Sequence, residues 1–350
     1  MKTLSDVLMN FRYAFNPRKP QLVPRMASAV WNSSVLKRSR LRYVDMAIDF
    51  ACNLKCKHCF ASSLAQPGRR KMELTDYSRI ATECMALGAV NFSFQGGEPL
   101  MSPQLGDIIS VFKPERNLIS VTTNGTLLTE ERVNELKRMK VDILTVSLDS
   151  ADPEEHDAFR GASGTFQKAV DGIHIALKKG LKVTLGTVVT HQNLKTPGIN
   201  ELVKMAKKLR VLLYFILPVS AGRWTENEDM RLSDSDLAYI ESLTRQHPNI
   251  RTDLQANLGG YGCGAAKEIL YLTPYGDVLV CPFLHVSPGN IFENSIEYIR
   301  NLSLENPYFA SYHPKCLVSS DREFIDKYLC KTFEKKKLPL AWGNVFPESK

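Results

Sequence analysis

Tyr43-Val-Asp-Met-Ala-Ile-Asp-Phe50 runs directly into Ala51-Cys52-Asn-Leu-Lys-Cys56-Lys-His58-Cys59, so an apolar, partly β-branched stretch meets three cysteines spaced C-x3-C-x2-C. The stretch predicts a strand. The cysteines fall on the loop past its C-terminal end, where parallel α/β folds carry their chemistry. Three thiolates can hold three irons of a four-iron cluster and leave the fourth open to an exogenous ligand. A structural zinc site needs a fourth protein ligand, and His58 could supply one only with poor geometry between its close neighbours. Without a secretory signal, clustered cysteines point to metal before disulfides.

Outward from this strand, short β-branched runs alternate with longer amphipathic ones, the pattern of repeated βα units around a parallel sheet. Six strands are predicted, at residues 43–50, 89–95, 118–124, 141–149, 182–190 and 211–219. Helical patterns lie between them at residues 74–87, 129–139, 166–179 and 199–209. After Pro218 the pattern changes to a polar connection, a helix over residues 233–246, and a hairpin over 268–281 turned at Pro274-Tyr275-Gly276. The expected organisation is a basic arm (1–42), an α/β barrel-like domain (43–220), a smaller α+β domain (221–335) and a C-terminal tail (336–350).

The chain has 350 residues, 44% hydrophobic and 23% charged, which excludes disorder and a disulfide-stapled mini-scaffold. No run reaches the roughly 18 apolar residues that a spanning helix requires, so the protein is expected to be cytoplasmic. Its net charge of +8 comes from the first 42 residues, and the remaining body is balanced at 36 basic and 36 acidic residues. Nucleic acid is therefore not an expected partner. Leu4, Val7, Leu8, Phe11 and Phe15 put apolar groups on one face of a helix, with Arg12, Arg18 and Lys19 close by. That arm either packs on the body or makes a peripheral contact with an anionic membrane surface.

Further motifs sit at the other strand ends. Gly96-Gly97-Glu98-Pro99 follows the second strand, Thr122-Thr123-Asn124-Gly125 the third, and Ser147-Leu148-Asp149 ends the fourth, with His156-Asp-Ala-Phe-Arg160 shortly after. Adjacent glycines let the backbone approach a ligand closely, and a carboxylate beside them can pair with an ammonium group. Joined to the cysteine triad, these motifs resemble the radical S-adenosylmethionine (SAM) enzymes over residues 43–218. The resemblance implies a partial (β/α)6 TIM-type barrel in which Cys52, Cys56 and Cys59 hold a [4Fe-4S] cluster. His58 stands where the family usually has an aromatic residue near the adenine. Gly96, Gly97, Glu98 and Pro99 match the motif that contacts the methionyl amino group. Asn124, Ser147 and Arg160 match cofactor-binding positions, Arg160 toward the cofactor carboxylate. Read from the residues alone, Ser147 and Arg160 could equally be an ordinary strand-end hydroxyl and a surface ion pair. The implied reaction is reductive cleavage of SAM to a 5′-deoxyadenosyl radical that abstracts hydrogen from substrate. A low-potential donor such as flavodoxin or ferredoxin would supply the electron.

Cys263-x12-Gly276-x4-Cys281 resembles the opening of the SPASM and twitch extensions that carry auxiliary clusters in this family. Only Cys316 and Cys330 follow, so the expectation is one auxiliary [4Fe-4S] cluster on Cys263, Cys281, Cys316 and Cys330 in a small α+β domain. A three-ligand cluster using Cys263, Cys281 and another group such as His313 is the alternative. Cys84 reads as a small core hydrophobe. An auxiliary cluster suits a net oxidation, and the basic arm suits a small or anionic biosynthetic intermediate, with Arg223 at the barrel mouth either contacting it or forming an ordinary ion pair. Peptide-modifying relatives are the alternative, although they commonly place a winged-helix module ahead of the barrel and here 42 residues precede the first strand. A different class, an iron-sulfur electron-transfer or scaffold protein, explains the cysteines but leaves Gly96 to Pro99 without a role. The sequence assigns no catalytic acid or base.

Overall fold

Even-numbered residues of the first strands are apolar and odd-numbered ones largely polar, and this alternation decides which face meets the helices. The computed structural model describes residues 12–13, 15–224, 228–255, 257–333, 335 and 337–347. Helix α1 (Leu22–Val30) precedes strand β1 (Tyr43–Asp49), and β2 (Asn91–Gly96), β3 (Leu118–Thr123), β4 (Ile143–Ser147), β5 (Lys182–Val188) and β6 (Leu212–Ile216) follow in a parallel sheet in sequence order. The connections hold α2 (Leu74–Ala86), α3 (Leu105–Val111), α4 (Glu130–Arg138), α5 (Pro153–Arg160), α6 (Thr165–Lys178) and α7 (Pro197–Leu209). Val44, Met46, Phe92, Phe94, Val121 and Leu144 pack under these helices with Ile80, Val133, Ile173 and Leu202, and Cys84 is fully buried in the same layer. The opposite face carries Asp45, Ser93, Thr145, Thr184 and Tyr214, with Thr145 and Thr184 hydroxyls 2.8 Å apart. This is the six-unit partial barrel with an apolar outer layer and a polar lumen.

Strand centres match the sequence reading, and the ends are shorter. Leu148 and Asp149 leave the β4 ladder, and α3 and α5 form in connections where no helix was predicted. The sheet also continues past the expected boundary at residue 221. Strand β7 (Ile250–Thr252) adds to β6, and β8 (Ile269–Leu272) adds in parallel to the free edge of β1. Strand β9 (Asp277–Leu279) turns back against β8 as the predicted hairpin, followed by β10 (Val286–Ser287) and β11 (Gly289–Asn290). The residues beyond 221 are therefore built onto the barrel's edges, with helix α8 (Asp234–Gln246) between them. Within the C-terminal stretch, β12 (Leu340–Ala341) pairs with β10, and Trp342, Val345 and Phe346 are buried with Phe309, Phe324 and Tyr328.

The described part of the N-terminal segment differs from the membrane expectation at Lys19. Leu4, Val7, Leu8 and Phe11 lie outside the described residues, while Arg12, Phe15 and Arg18 are exposed. Lys19, expected at a head-group surface, is 3% exposed and ion-paired with Asp142, and it donates to the carbonyls of Asn117 (3.1 Å) and Lys140 (2.8 Å). Tyr13 bridges two strands, donating to Val183 O (2.7 Å) and accepting from Leu212 N (3.0 Å). Arg25 donates to Ala89 O at 2.7 Å. All these partners lie at the N-terminal ends of strands, so the segment closes the barrel end opposite the cysteines. Among the described residues no helix is long and apolar enough to cross a membrane.

Asp142 also accepts from Ile119 N (2.8 Å) and Asn16 Nδ2 (2.8 Å), which fixes its carboxylate in place. Lys19→Met strands that buried charge and should lower the unfolding free energy by about 3 kcal/mol. Urea denaturation measures this, and an unchanged midpoint would show that the segment does not hold the barrel.

Candidate active site and the two cysteine groups

The first site is assembled from strand C-terminal ends. Asp49, the last residue of β1, starts the cysteine loop: its carboxylate accepts from Phe50 N (2.7 Å) and Ala51 N (3.2 Å) and pairs with Lys71 at 2.6 Å. The end of β2 lies directly against this loop, with Gly97 N donating to Asp49 O (2.7 Å) and Glu98 N to Ala51 O (2.9 Å). A Cβ on Gly97 would stand 2.0 Å from Ala51 O, and one on Gly96 2.2 Å from Asp49 O. Both glycines are required by backbone against backbone, a closer partner than the ligand the motif alone suggested.

Glu98 is likewise held by neighbouring backbone. Its side chain is 3% exposed and accepts from Leu100 N (3.1 Å), Thr123 Oγ1 (2.7 Å) and Asn124 N (2.8 Å). Burial raises its carboxyl above the ordinary value, and the three donors oppose that. The carboxylate clasps the ends of β2 and β3 together. Pro99 begins the short turn that follows. Asn124 is pinned by the clasp and donates to Asn53 Oδ1 (2.8 Å), with its Nδ2 4.0 Å from Cys52 Sγ. Asn53 in turn donates to Thr126 Oγ1 at 2.8 Å.

Helix α5 holds the other side of the loop. Asp152 caps its first turn by accepting from Glu154 N (2.9 Å) and Glu155 N (3.0 Å), Pro153 occupies the first position, and Gly161 ends it. This places Phe159 O to accept from Lys57 N (3.1 Å) and Arg160 beneath Cys56. Arg160 donates to Asp149 Oδ2 (2.6 Å), both groups being buried, and its Nη1 lies 3.9 Å from Cys56 Sγ. Burial alone would raise the Asp149 carboxyl, and Arg160 leads the groups, the Val188 N–H among them, that together hold it below its ordinary value. Burial likewise pushes the Cys56 thiol up, and Arg160 works against that by favouring the thiolate. Arg160 is thus an internal ion pair facing a cysteine sulfur. Ser147 ends β4 half-buried opposite Gly186.

His58 stacks on Phe159 (centroids 4.4 Å apart, 20° between planes) and is tilted against Trp224 at 5.6 Å. Its Nδ1 is buried with no partner among the described residues. Burial, with Arg160 adding to it, pushes the imidazole down to about 3, so the ring is neutral. Phe159 and Thr123 lie inside quoted motifs without a role there, and Trp224 and Asn53 were not singled out in the sequence; only the packing of separate connections brings Phe159 and Trp224 against His58. Arg223, considered as a substrate contact, holds the cysteine loop instead, through N to Cys59 O (3.2 Å) and Nη1 to Cys56 O (3.0 Å). A Cβ on neighbouring Gly222 would come within 2.1 Å of Cys59 O.

Cys52, Cys56 and Cys59 are all free thiols, exposed, buried and half-buried in turn, and they interact electrostatically with one another. The second group forms near residue 263: Cys263, Cys281 and Cys316 interact in the same way, and each thiol is raised chiefly by burial. The Cys330 thiol donates to Asp326 O at 2.8 Å. His313 bridges to Cys263 through the backbone, while its ring faces Asp321 (3.3 Å). Among the described residues no three such side chains converge on one ion-sized position. A cluster takes a separate thiolate on each iron, so its ligands need not converge on one such position. The two segments meet where Phe60, next to Cys59, packs edge-on against Phe283 (4.9 Å).

Comparison with known proteins agrees with this geometry. The AdoMet-dependent heme synthase of Methanosarcina barkeri is 26% identical over 286 residues, 74% of this chain and 81% of that protein. The antilisterial bacteriocin subtilosin biosynthesis protein AlbA of Bacillus subtilis is 26% identical over 282 residues, of which this chain spans 60%. Among solved structures, Streptococcus suis SuiB bound to its precursor peptide SuiA superposes with a TM-score of 0.61 at 18% identity, covering 83% of this chain and 70% of that one, a likeness of fold. Residues 48–206 match the family model of the Radical SAM superfamily, so this chain carries a radical SAM domain.

Proposed function

We propose that this radical SAM enzyme oxidises a small or anionic substrate with two iron-sulfur clusters, one on Cys52, Cys56 and Cys59 and an auxiliary one on Cys263, Cys281 and Cys316. The observation that carries this reading is the assembly of two separate groups of three thiols on segments that touch through Phe60 and Phe283. Bound cluster and SAM supply reductive cleavage of the sulfonium and, with it, the power to abstract hydrogen. The protein's own residues orient and shield. Arg160 offsets negative charge at Cys56, and Asn124, held by the Glu98 clasp, does the same work beside Cys52. His58, Phe159 and Trp224 form an apolar wall that keeps water from the first thiol group. Arg223 and Gly222 bring the loop after β6 onto the cysteine loop, closing the site from the lumen side.

Named relatives support an oxidation of this breadth. They include an AdoMet-dependent heme synthase and an Fe-coproporphyrin III synthase of Methanosarcina barkeri. A second reading, modification of a peptide, is favoured by the likeness to AlbA and to the mycofactocin maturase MftC of Mycobacterium tuberculosis. Deuterium transfer from a labelled candidate substrate into 5′-deoxyadenosine separates the two readings. A low-potential flavodoxin or ferredoxin is the electron donor this chemistry requires.

Anaerobically reconstituted protein should bind about eight irons and form 5′-deoxyadenosine with a strong reductant. Cys56→Ala should abolish that product. Cys316→Ala should bring iron down to about four, and Cys330→Ala should leave it near eight. Iron analysis of the two variants decides the auxiliary ligand set: equal loss in both would restore Cys330 as a ligand, and no loss in either would remove the auxiliary cluster.

Glu98→Gln places an amide N–H against donors that now meet a carboxylate. It should destabilise the cluster-free protein by about 1–3 kcal/mol in the absence of any cofactor. Thermal denaturation measures this; an unchanged melting temperature together with weakened SAM binding would return the carboxylate to the cofactor.

A further inference from the structure

A cavity of about 170 Å³ borders both cysteine-bearing segments, lined by Ser63, Gly222, His285, Thr332, Lys335 and Leu338. Ser63 lies four residues past Cys59, Gly222 packs on the Cys59 carbonyl, and His285 lies four residues past Cys281. A cavity of about 150 Å³ takes a benzene-sized guest, so this one admits a group of roughly six to eight non-hydrogen atoms. A tetrapyrrole ring is far too large, although one of its arms would enter.

Apart from Lys335, the polar side chains of the lining act as acceptors. Ser63 Oγ donates to Phe60 O (3.3 Å), which turns its lone pairs to His285 Nδ1 at 3.2 Å. The ring also meets the Pro282 carbonyl, which takes a donor, and Nε2 has no partner among the described residues, so the proton belongs on Nδ1 and the lone pair on Nε2. His285 is 1% exposed, and its Nε2 is buried with no partner among the described residues. Thr332 Oγ1 gives its hydrogen to Leu329 O at 2.7 Å, so it too can only accept from a guest. Lys335 is exposed at the rim and adds a positive charge. A guest that leaves these acceptors unpaired bears their desolvation cost, and one that brings hydrogens relieves it.

We propose that this cavity binds a small group in which a hydroxyl or ammonium donor stands beside a carboxylate, as in a 2-hydroxy acid or an amino acid. His285 Nε2 accepts from the donor, and Lys335 pairs with the carboxylate. This rests on the proposed function and names the chemistry of its substrate, either as a free molecule or as the end of a peptide.

The test is anaerobic calorimetry on the full-length, cluster-loaded protein with L-glycerate, L-serine, propionate and the peptide Ala-Ala-Ser. Glycerate and serine should bind saturably and propionate at least about tenfold more weakly, because it brings a carboxylate and no donor. His285→Phe should erase the preference for glycerate over propionate, and His285→Asn, which keeps an acceptor, should retain it. Lys335→Gln, at an exposed position that the fold does not need, should weaken every carboxylate probe by at least about fivefold. Tighter binding of Ala-Ala-Ser than of serine supports the proposal with a peptide end as the source, and the reverse order supports it with a free acid. Equal affinity for glycerate and propionate, no saturable binding of any probe, or an unaffected Lys335→Gln variant would overturn it. Formation of 5′-deoxyadenosine by the unmodified protein without any probe tests the proposed function separately, so the two failures are distinguishable.

Discussion

Two backbone hydrogen bonds, from Gly97 N to Asp49 O and from Glu98 N to Ala51 O, join the end of the second strand to the root of the cysteine loop. They form only because residues 96 and 97 carry no Cβ; a methyl group at either position would overlap the opposing carbonyl. The loop's starting direction follows from this contact, and with it the places of Cys52 and Asn53. Glu98, directed inward by the same turn, then fixes Asn124, and Asn124 returns a hydrogen bond to Asn53. The motif residues thus constrain one another before any cofactor is considered. A site organised in advance loses less entropy when it binds its ligands.

Charge is handled by the opposite wall. Asp149 and Arg160 are both buried, and such a pair persists only when its remaining hydrogen-bonding capacity is used. Val188 N, at 3.2 Å, completes Asp149 on one side, and the Cys56 sulfur, 3.9 Å from Arg160, is the outlet on the other. The arginine therefore couples strand β4 and helix α5 to the cysteine whose thiolate most needs a cation, since Cys56 is the buried member of the triad. The neutral ring of His58 beside it adds no second positive charge to the same small volume.

Stability and chemistry occupy opposite ends of the barrel. Tyr13, Lys19 and Arg25 satisfy backbone carbonyls and a buried carboxylate where the strands begin, so that end is sealed by hydrogen bonds to the N-terminal segment. The strand ends that carry the motifs leave the ladder early and spend their backbone groups on loop contacts. Hairpin β8–β9 extends the sheet from the β1 edge, and the Phe60–Phe283 contact brings the second cysteine group to the first. The basic character of the first 42 residues is thus partly structural, since one of its lysines is consumed in the core.

The sequence by itself determined the βα alternation, the strand centres, the hairpin at Gly276 and the place of the cysteine triad after β1, because periodicity and turn chemistry are local properties. It also marked the strand-end motifs, since short glycine-rich and polar clusters interrupt that periodicity. Only the tertiary structure decided what those side chains do. Which neighbours Glu98 accepts from, whether Arg160 meets solvent or Cys56, and whether Lys19 lies on a surface or beneath one depend on groups up to 123 residues away. Cys316 joins Cys263 and Cys281 while Cys330 turns to Asp326, because the route of the chain after α9 (Ile296–Glu305), through α10 (Pro307–Ala310) and α11 (Arg322–Lys327), carries no periodic signal. His285 is an ordinary residue in the sequence; its significance arises when Ser63 orients its ring and four separate segments enclose its free nitrogen.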